Sequence, residues 1–202
     1  MSMALPEKPS LLHHQLRQAT KIPHHALDHH PVLQPLLKPS ISVAQYGNAL
    51  AALHGIYVQA EAGIFSFLEQ HAGLFDYHSR YKLPALASDL ALLGRIPVPC
   101  STAVAAPKTM GALIGILYTL EGSTQGGQFI VRHLRQVFDE TVPVQFFNGY
   151  GDFSRQRWRE FLHFADAHCP VSEYESAAAS AVTLFEAIKS QLDAAHRRFE
   201  NG

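Results

Sequence analysis

Three glycines, Gly122, Gly126 and Gly127, fall within six residues of a stretch that otherwise reads as a buried helix. A glycine inside a helix costs about 1 kcal/mol relative to alanine. Three so close together need an offset. The usual one is a close approach of backbone to another backbone or to a flat ligand, where a Cβ would stand in the way. Whatever this chain folds into, something must lie against residues 122–127.

The surrounding sequence is helical in pattern almost throughout. Ser10 suits the N-cap of an amphipathic segment carrying Leu11, Leu12 and Leu16. Pro23 predicts either a kink in that helix or a new start near Thr20, since proline lacks the amide donor. Pro31, Pro35 and Pro39 then break the regularity. Apolar residues return at helical spacing over 43–71, with Tyr46, Leu50, Leu53, Tyr57 and Ile64 on the stripe. Residues 78–93 read as another helix that Gly94 ends. A proline-flanked irregular connection covers 96–106, and a helix interrupted by the glycines covers 109–138. Residues 143–151 read as a loop. Ser154 is expected to cap a helix running to about residue 168, and Ser172 a final one with Ala181, Leu184, Ile188 and Leu192 inward. No strand alternation stands out. The expectation is an all-α single domain over 10–202, of seven to eight helices, after a flexible leader at 1–9.

Apolar residues make up 47% of the chain, enough for a substantial core. Only 16% of residues are charged, below the roughly 25% usual for soluble domains, which leaves apolar surface for a pocket or a partner. A net charge of -1 provides no field for nucleic acid or an anionic membrane. No run approaches the ~20 apolar residues of a membrane span. Cys100 and Cys169 lie too far apart in sequence to suggest a paired motif or a disulfide framework. These readings predict a soluble, cytoplasmic protein with neither nucleic acid nor membrane as partner.

Histidine is over-represented, at 13 residues. His25 and His29, one helical turn apart, could chelate a metal, but no second ligand segment suggests itself, and a solvated polar face accounts for them. Glu160 and His163 have the Glu-x-x-His spacing of a di-iron bundle, which requires two such motifs; the sequence has one. Phosphate-binding loops, a nucleophile elbow and H-E-x-x-H are all missing.

Two segments about a hundred residues apart carry the sharpest signal. In residues 16–28, Leu16-Arg17 precedes Thr20, and His24 follows four positions later, then Asp28. This resembles the N-terminal helix of heme oxygenases, and the glycine segment resembles the distal helix of the same family. Residues 83–94, the run from Phe146 to Gly151 followed by Trp158 and Phe161, and the final helix with Thr183, Leu184 and Phe185 extend the likeness over roughly 11–195. It is closest to the bacterial enzymes associated with phytochromes.

The resemblance implies that heme is both substrate and cofactor. It implies oxidative cleavage to biliverdin, ferrous iron and carbon monoxide, using dioxygen and an external electron donor such as a ferredoxin, a flavoprotein reductase or an ascorbate-like reductant. A biliverdin-accepting photoreceptor is a further implied partner. His24 falls at the iron ligand, with His25 a competitor should Pro23 tilt the helix. A neutral imidazole suits this chemistry, whereas a thiolate would favour O–O cleavage. Gly122, Ser123, Gly126 and Gly127 fall on the distal, catalytic side. Ser123 stands where mammalian members carry a water-ordering aspartate, and it can hydrogen-bond but cannot hold charge. Arg17, Arg132 and Tyr150 are expected at the heme propionates.

Two other classes remain open at this level. One is a non-enzymatic heme-sequestering protein on the same scaffold. The other is a thiamine-degrading relative, which would need a pocket cysteine. Cys100 in its irregular loop and Cys169 at a helix end do not suggest one.

Overall fold

The protein is described here from a computed structural model covering residues 10–201; the expected leader at 1–9 lies outside the described residues. Among those residues there are seven α-helices and no strand: α1 Leu11–Asp28, α2 Val43–Glu69, α3 Leu83–Leu92, α4 Met110–Phe138, α5 Gln145–Asn148, α6 Ser154–His168 and α7 Tyr174–Glu200. Six of them have ten residues or more; α5 is a single turn.

The long helices start where polar caps allow. Ser10 accepts from the His13 amide at 3.1 Å. Ser42 and Gln45 form a reciprocal capping box at α2, and Thr109 accepts from the Ala112 amide at α4. Each satisfies an amide that the first helical turn leaves unpaired. Two other expected caps are displaced. Ser154 begins α6, and its hydroxyl donates back to the Gly151 carbonyl, because a 3-10 turn over Gly151–Phe153 feeds straight into the helix. Ser172 lies inside a second such turn, Val171–Glu173, and the Glu173 carboxylate accepts from the Gly111 amide at the start of α4. Residues 143–151 hold a helical turn rather than only loop. The buried Asp89 carboxylate creates it by accepting from the amides of Gln145 and Phe146 at 3.1 and 2.9 Å.

α1 runs unbroken through Pro23. Proline costs the helix one amide donor there, yet Leu12, Leu16, Thr20 and Leu27 stay buried along one stripe. That stripe packs on α7, and α4 packs along α7 on a neighbouring line. At Gly115 the two backbones come so close that a Cβ would strike the Ala181 amide at 2.8 Å. The region 78–93 is divided, with a 3-10 turn over His78–Arg80, then Lys82, then α3. The division matters for the site, because Arg80 and Lys82 turn inward from it. No helix among the described residues is long and apolar enough to cross a membrane.

Candidate active site between the first and fourth helices

A cavity of about 1300 Å³ separates α1 from α4 and extends to the loop before α3, to α5 and to α6. Leu27, Leu33, Leu36, Phe146, Phe147 and Phe185 give it a largely apolar lining. Such a space suits a flat apolar molecule with a few polar groups at its edge.

One wall is a face of α1. Arg17, Lys21, His24 and Asp28 line it at intervals of three and four residues, which stacks them along one side of a helix. His24 Nδ1 lies 3.0 Å from the Asp28 carboxylate. A carboxylate only accepts, so Nδ1 carries a proton, and in the neutral ring the lone pair sits on Nε2. Nε2 has no protein partner among the described residues. The ring leans on Phe185, centroids 5.7 Å apart. His25 is on another face; it stacks on His29 at 4.1 Å, and neither lines the cavity. Arg17 and Lys21 are exposed at the cavity's edge, with no ion pair among the described residues.

The facing wall is α4, and here the three glycines part company. Gly122 and Gly126 line the cavity. A Cβ built on Gly126 would meet nothing within 4 Å, and one on Gly122 would touch only the Trp158 ring at 3.7 Å. Gly127 is turned away. Its Cβ would collide with the Phe147 carbonyl, so its bare backbone is what lets α5 close on α4. At 100° per residue, positions 126 and 127 cannot share one face. The sequence reading that grouped Gly127 with the distal wall is corrected accordingly.

Ser123 also faces the cavity. Its hydroxyl donates to the Leu120 carbonyl at 2.8 Å, and Tyr57 on α2 lies 3.3 Å from the same oxygen. With the serine proton engaged, the tyrosine is the donor. Burial raises the Tyr57 phenol well above its ordinary range, so it stays protonated. Sequence periodicity could not single out Tyr57, because it falls on the same apolar stripe as its core neighbours.

Next to this wall, with Arg80, Lys82 and Tyr150 on the cavity lining, is a buried ionic cluster that spans distant parts of the chain. The Glu121 carboxylate, fully buried, accepts from Arg80 at 2.7 Å, from Lys82 at 2.5 Å and from the Tyr150 hydroxyl at 2.8 Å. Arg80 reaches on to Glu160 at 3.0 Å. Glu61, also buried, accepts from Tyr77 and from the amides of Lys82 and Leu83. The only sequence clue was an acid set directly before Gly122 in an apolar helix. Removing one partner from such a cluster leaves a buried charge uncompensated. Glu121→Ala is expected to lower unfolding free energy by about 3–5 kcal/mol in a urea titration.

Tyr150 lines the cavity, but its hydroxyl is committed to Glu121 and Lys82, so it is not free for a propionate. Arg132 does not line this cavity. It is exposed on the far side of α4, its guanidinium 5.6 Å from the Phe129 ring centroid, beside a separate groove. Neither cysteine lines the cavity. Cys169 is buried, and desolvation pushes its thiol up to about 11. Among the described residues no three histidine, cysteine or acidic side chains gather as a metal site.

The heme oxygenase family model matches residues 10–194. The chain belongs to the heme oxygenase family. A heme oxygenase of Xanthomonas campestris pathovar campestris is 29% identical over 131 residues, covering 64% of this chain and 77% of that relative. Among solved structures, the heme oxygenase of Neisseria meningitidis superposes with a TM-score of 0.76 at 19% identity, covering 92% of both chains. That of Leptospira interrogans gives 0.75 at 16% identity, covering 91% of this chain and 98% of its own. At these identities the superpositions establish the shared fold. The residues present also fit the family's macrocycle. An unpartnered imidazole nitrogen on one side opposes a wall that two missing Cβ atoms leave open, and two unpaired cations stand at the edge.

Proposed function

We propose that this heme oxygenase binds heme in the cavity between α1 and α4 and cleaves it to biliverdin, ferrous iron and carbon monoxide. The observation that carries this reading is the opposition of His24 Nε2 to the glycine face of α4 across one apolar space. Bound heme supplies the redox-active iron that takes dioxygen, and the ring that is opened; electrons come from an external donor such as a ferredoxin, a flavoprotein reductase or ascorbate.

The chain's own residues have separable tasks. His24 holds the iron through Nε2, and Asp28 fixes the tautomer and makes the imidazole a better donor. Arg17 and Lys21 hold the propionates, since Arg80 and Lys82 are neutralised by Glu121. Gly122 and Gly126 let main chain come close over the ring and leave room beside the iron. The apolar lining excludes bulk water.

Ser123 donates to Leu120 and Tyr57 donates to Ser123, but both keep oxygen lone pairs that can accept from an ordered water on the distal side. The Lys82 and Tyr150 donors are spent within the ionic cluster. Tyr57→Phe is expected to slow turnover about tenfold and to alter the solvent deuterium isotope effect, with hemin affinity kept. An unchanged isotope effect would remove Tyr57 from this role. The similarity of residues 83–94 and 146–151 to the phytochrome-associated branch supports a photoreceptor as acceptor of the product.

The test is a hemin titration followed by a reductant in air. The expected result is a reddish complex that turns green, with biliverdin and carbon monoxide both detected. A stable complex that never turns over would instead make the protein a heme-sequestering member of the family. No binding at all would remove heme from its function.

A further inference from the structure

His30 lies six residues beyond His24 in sequence and outside the cavity lining, yet its side chain is only 3% exposed. Its two ring nitrogens have different partners. Nε2 lies 3.1 Å from the Asp193 carboxylate on α7, and Nδ1 lies 3.2 Å from the Val32 amide. An amide can only donate and a carboxylate can only accept. The ring is therefore the neutral Nε2–H tautomer, and both nitrogens are used.

The main chain of the same residue is equally engaged. Its amide donates to the Leu27 carbonyl, and its carbonyl accepts from the amides of Leu33 and Gln34. His30 thus joins three pieces at one point: the last turn of α1, the 3-10 turn over Gln34–Leu37, and α7. Each piece contributes to the cavity wall, through His24 and Leu27, through Gln34 and Leu36, and through Phe185 and Ile188.

We propose that His30 is a positioning residue that clamps the ligand-bearing end of α1 to α7 and so sets where His24 stands in the cavity. The proposal rests on the reading of His24 as the heme ligand. Without the clamp, the exit of α1 after Asp28 would keep its backbone turns and the buried Val32 and Leu36 side chains, but would lose its side-chain hydrogen bond to α7. The ligand turn is also the one that contains Pro23 and so has one helical hydrogen bond fewer. An outside tether compensates where the helix is weakest.

The charged and titratable groups facing His30 are Asp193, Lys189 and His196, all on α7. Asp193 is itself held by Lys189 at 2.8 Å. Protonating His30 would place a second N–H on Nδ1, pointing at the Val32 amide, so acid opens the clamp. Burial lowers the affinity of His30 for that proton despite Asp193. The clamp's contribution to stability is therefore complete above the ordinary histidine pKa of about 6.5 and is lost as pH falls through the lower folded-state value.

Two substitutions separate the two bonds. His30→Asn keeps an acceptor near the Nδ1 position and loses Asp193. His30→Gln keeps a donor near the Nε2 position and loses Val32. Asp193→Asn keeps the hydrogen bond and removes the charge, and serves as the mild variant should either His30 substitution fold poorly. Amide hydrogen exchange on the heme-free proteins reads the clamp directly, and hemin titration reads its consequence. In both His30 variants, exchange over residues 24–37 is expected to accelerate at least tenfold while α2 and α6 stay unchanged. The hemin dissociation constant is expected to rise about tenfold. Asp193→Asn should lie between wild type and these. Unchanged exchange would overturn the clamp. Faster exchange with wild-type hemin affinity and spectrum would overturn its positioning role. If the wild type itself bound no hemin, the functional reading would fail, and with it this role for His30, whereas the exchange data would still report on the tether.

Discussion

Replacing His24 with alanine is expected to abolish the six-coordinate ferric heme spectrum and to cut biliverdin yield by at least about 100-fold. Losing a partner behind a metal ligand typically costs up to about 100-fold, and losing the ligand itself costs at least as much. Three imidazoles of α1 line the cavity, His13, His14 and His24; His24 is the one whose Nδ1 is held by a carboxylate, Asp28 at 3.0 Å, with Nε2 left free. His25→Ala is the matched control. Its ring stacks on His29 outside the cavity, so spectrum and yield should both survive. Asp28→Asn should give an intermediate result, since an amide still holds the ring but no longer draws on its proton. Optical spectra of the hemin complexes, followed by product quantification under reductant and air, distinguish these cases. A wild-type spectrum from His24→Ala, together with its loss in His25→Ala, would move the ligand by one residue.

The second large effect is a contrast between adjacent glycines. Gly126→Ala adds a methyl group to an open part of the cavity, where the folded protein has nothing for it to strike. The helix gains about 1 kcal/mol of propensity, so the melting temperature should rise by a few degrees. Turnover should fall, because the methyl would occupy cavity space that bound heme would need; Gly126→Leu should remove hemin binding. Gly127→Ala should do the opposite. Its Cβ collides with the Phe147 carbonyl, so α5 must shift, at a cost of about 1–3 kcal/mol. Thermal unfolding and turnover measured on both variants give a crossed pattern: stability up and activity down at 126, stability down at 127. Equal destabilisation by both alanines would mean that both glycines serve packing and that the wall opposite His24 is not a ligand surface.

The helical architecture was legible because periodicity writes it plainly. Leu86 and Leu90 or Ala181, Leu184 and Ile188 announce their buried faces directly, and Ser10 caps where expected. Ser154 and Ser172 were misplaced as caps because one 3-10 turn leads into Ser154 and another contains Ser172, which the pattern of side chains does not encode. Asp89 is a further case. Its partners, Gln145 and Phe146, lie more than fifty residues away, so the helical turn it creates could not be read locally.

The site was legible in its ends and not in its middle. His24 and the glycines sit in local patterns that a single sequence displays. Arg17 came from the resemblance of residues 16–28 to the family's first helix, and the structure places it on the cavity's edge. Gly127 was grouped with its neighbours although successive helical residues are about 100° apart, and Arg132 lies outside the cavity lining. Tyr150 has the right place, but its hydroxyl was already committed to Glu121. The cluster of Glu121, Arg80 and Lys82 was not legible, since it joins two segments about forty residues apart, and an acid before Gly122 in an apolar helix does not name its partners.

The central claim is that a flat macrocycle stands between one imidazole of α1 and the bare backbone of α4. A crystal structure of the hemin-loaded protein tests it most directly. The account predicts iron bonded to His24 Nε2, with the main chain at Gly122 and Gly126 across the opposite face and carboxylates toward Arg17 and Lys21. Iron on any other side chain, or a ring lying outside this cavity, would contradict it.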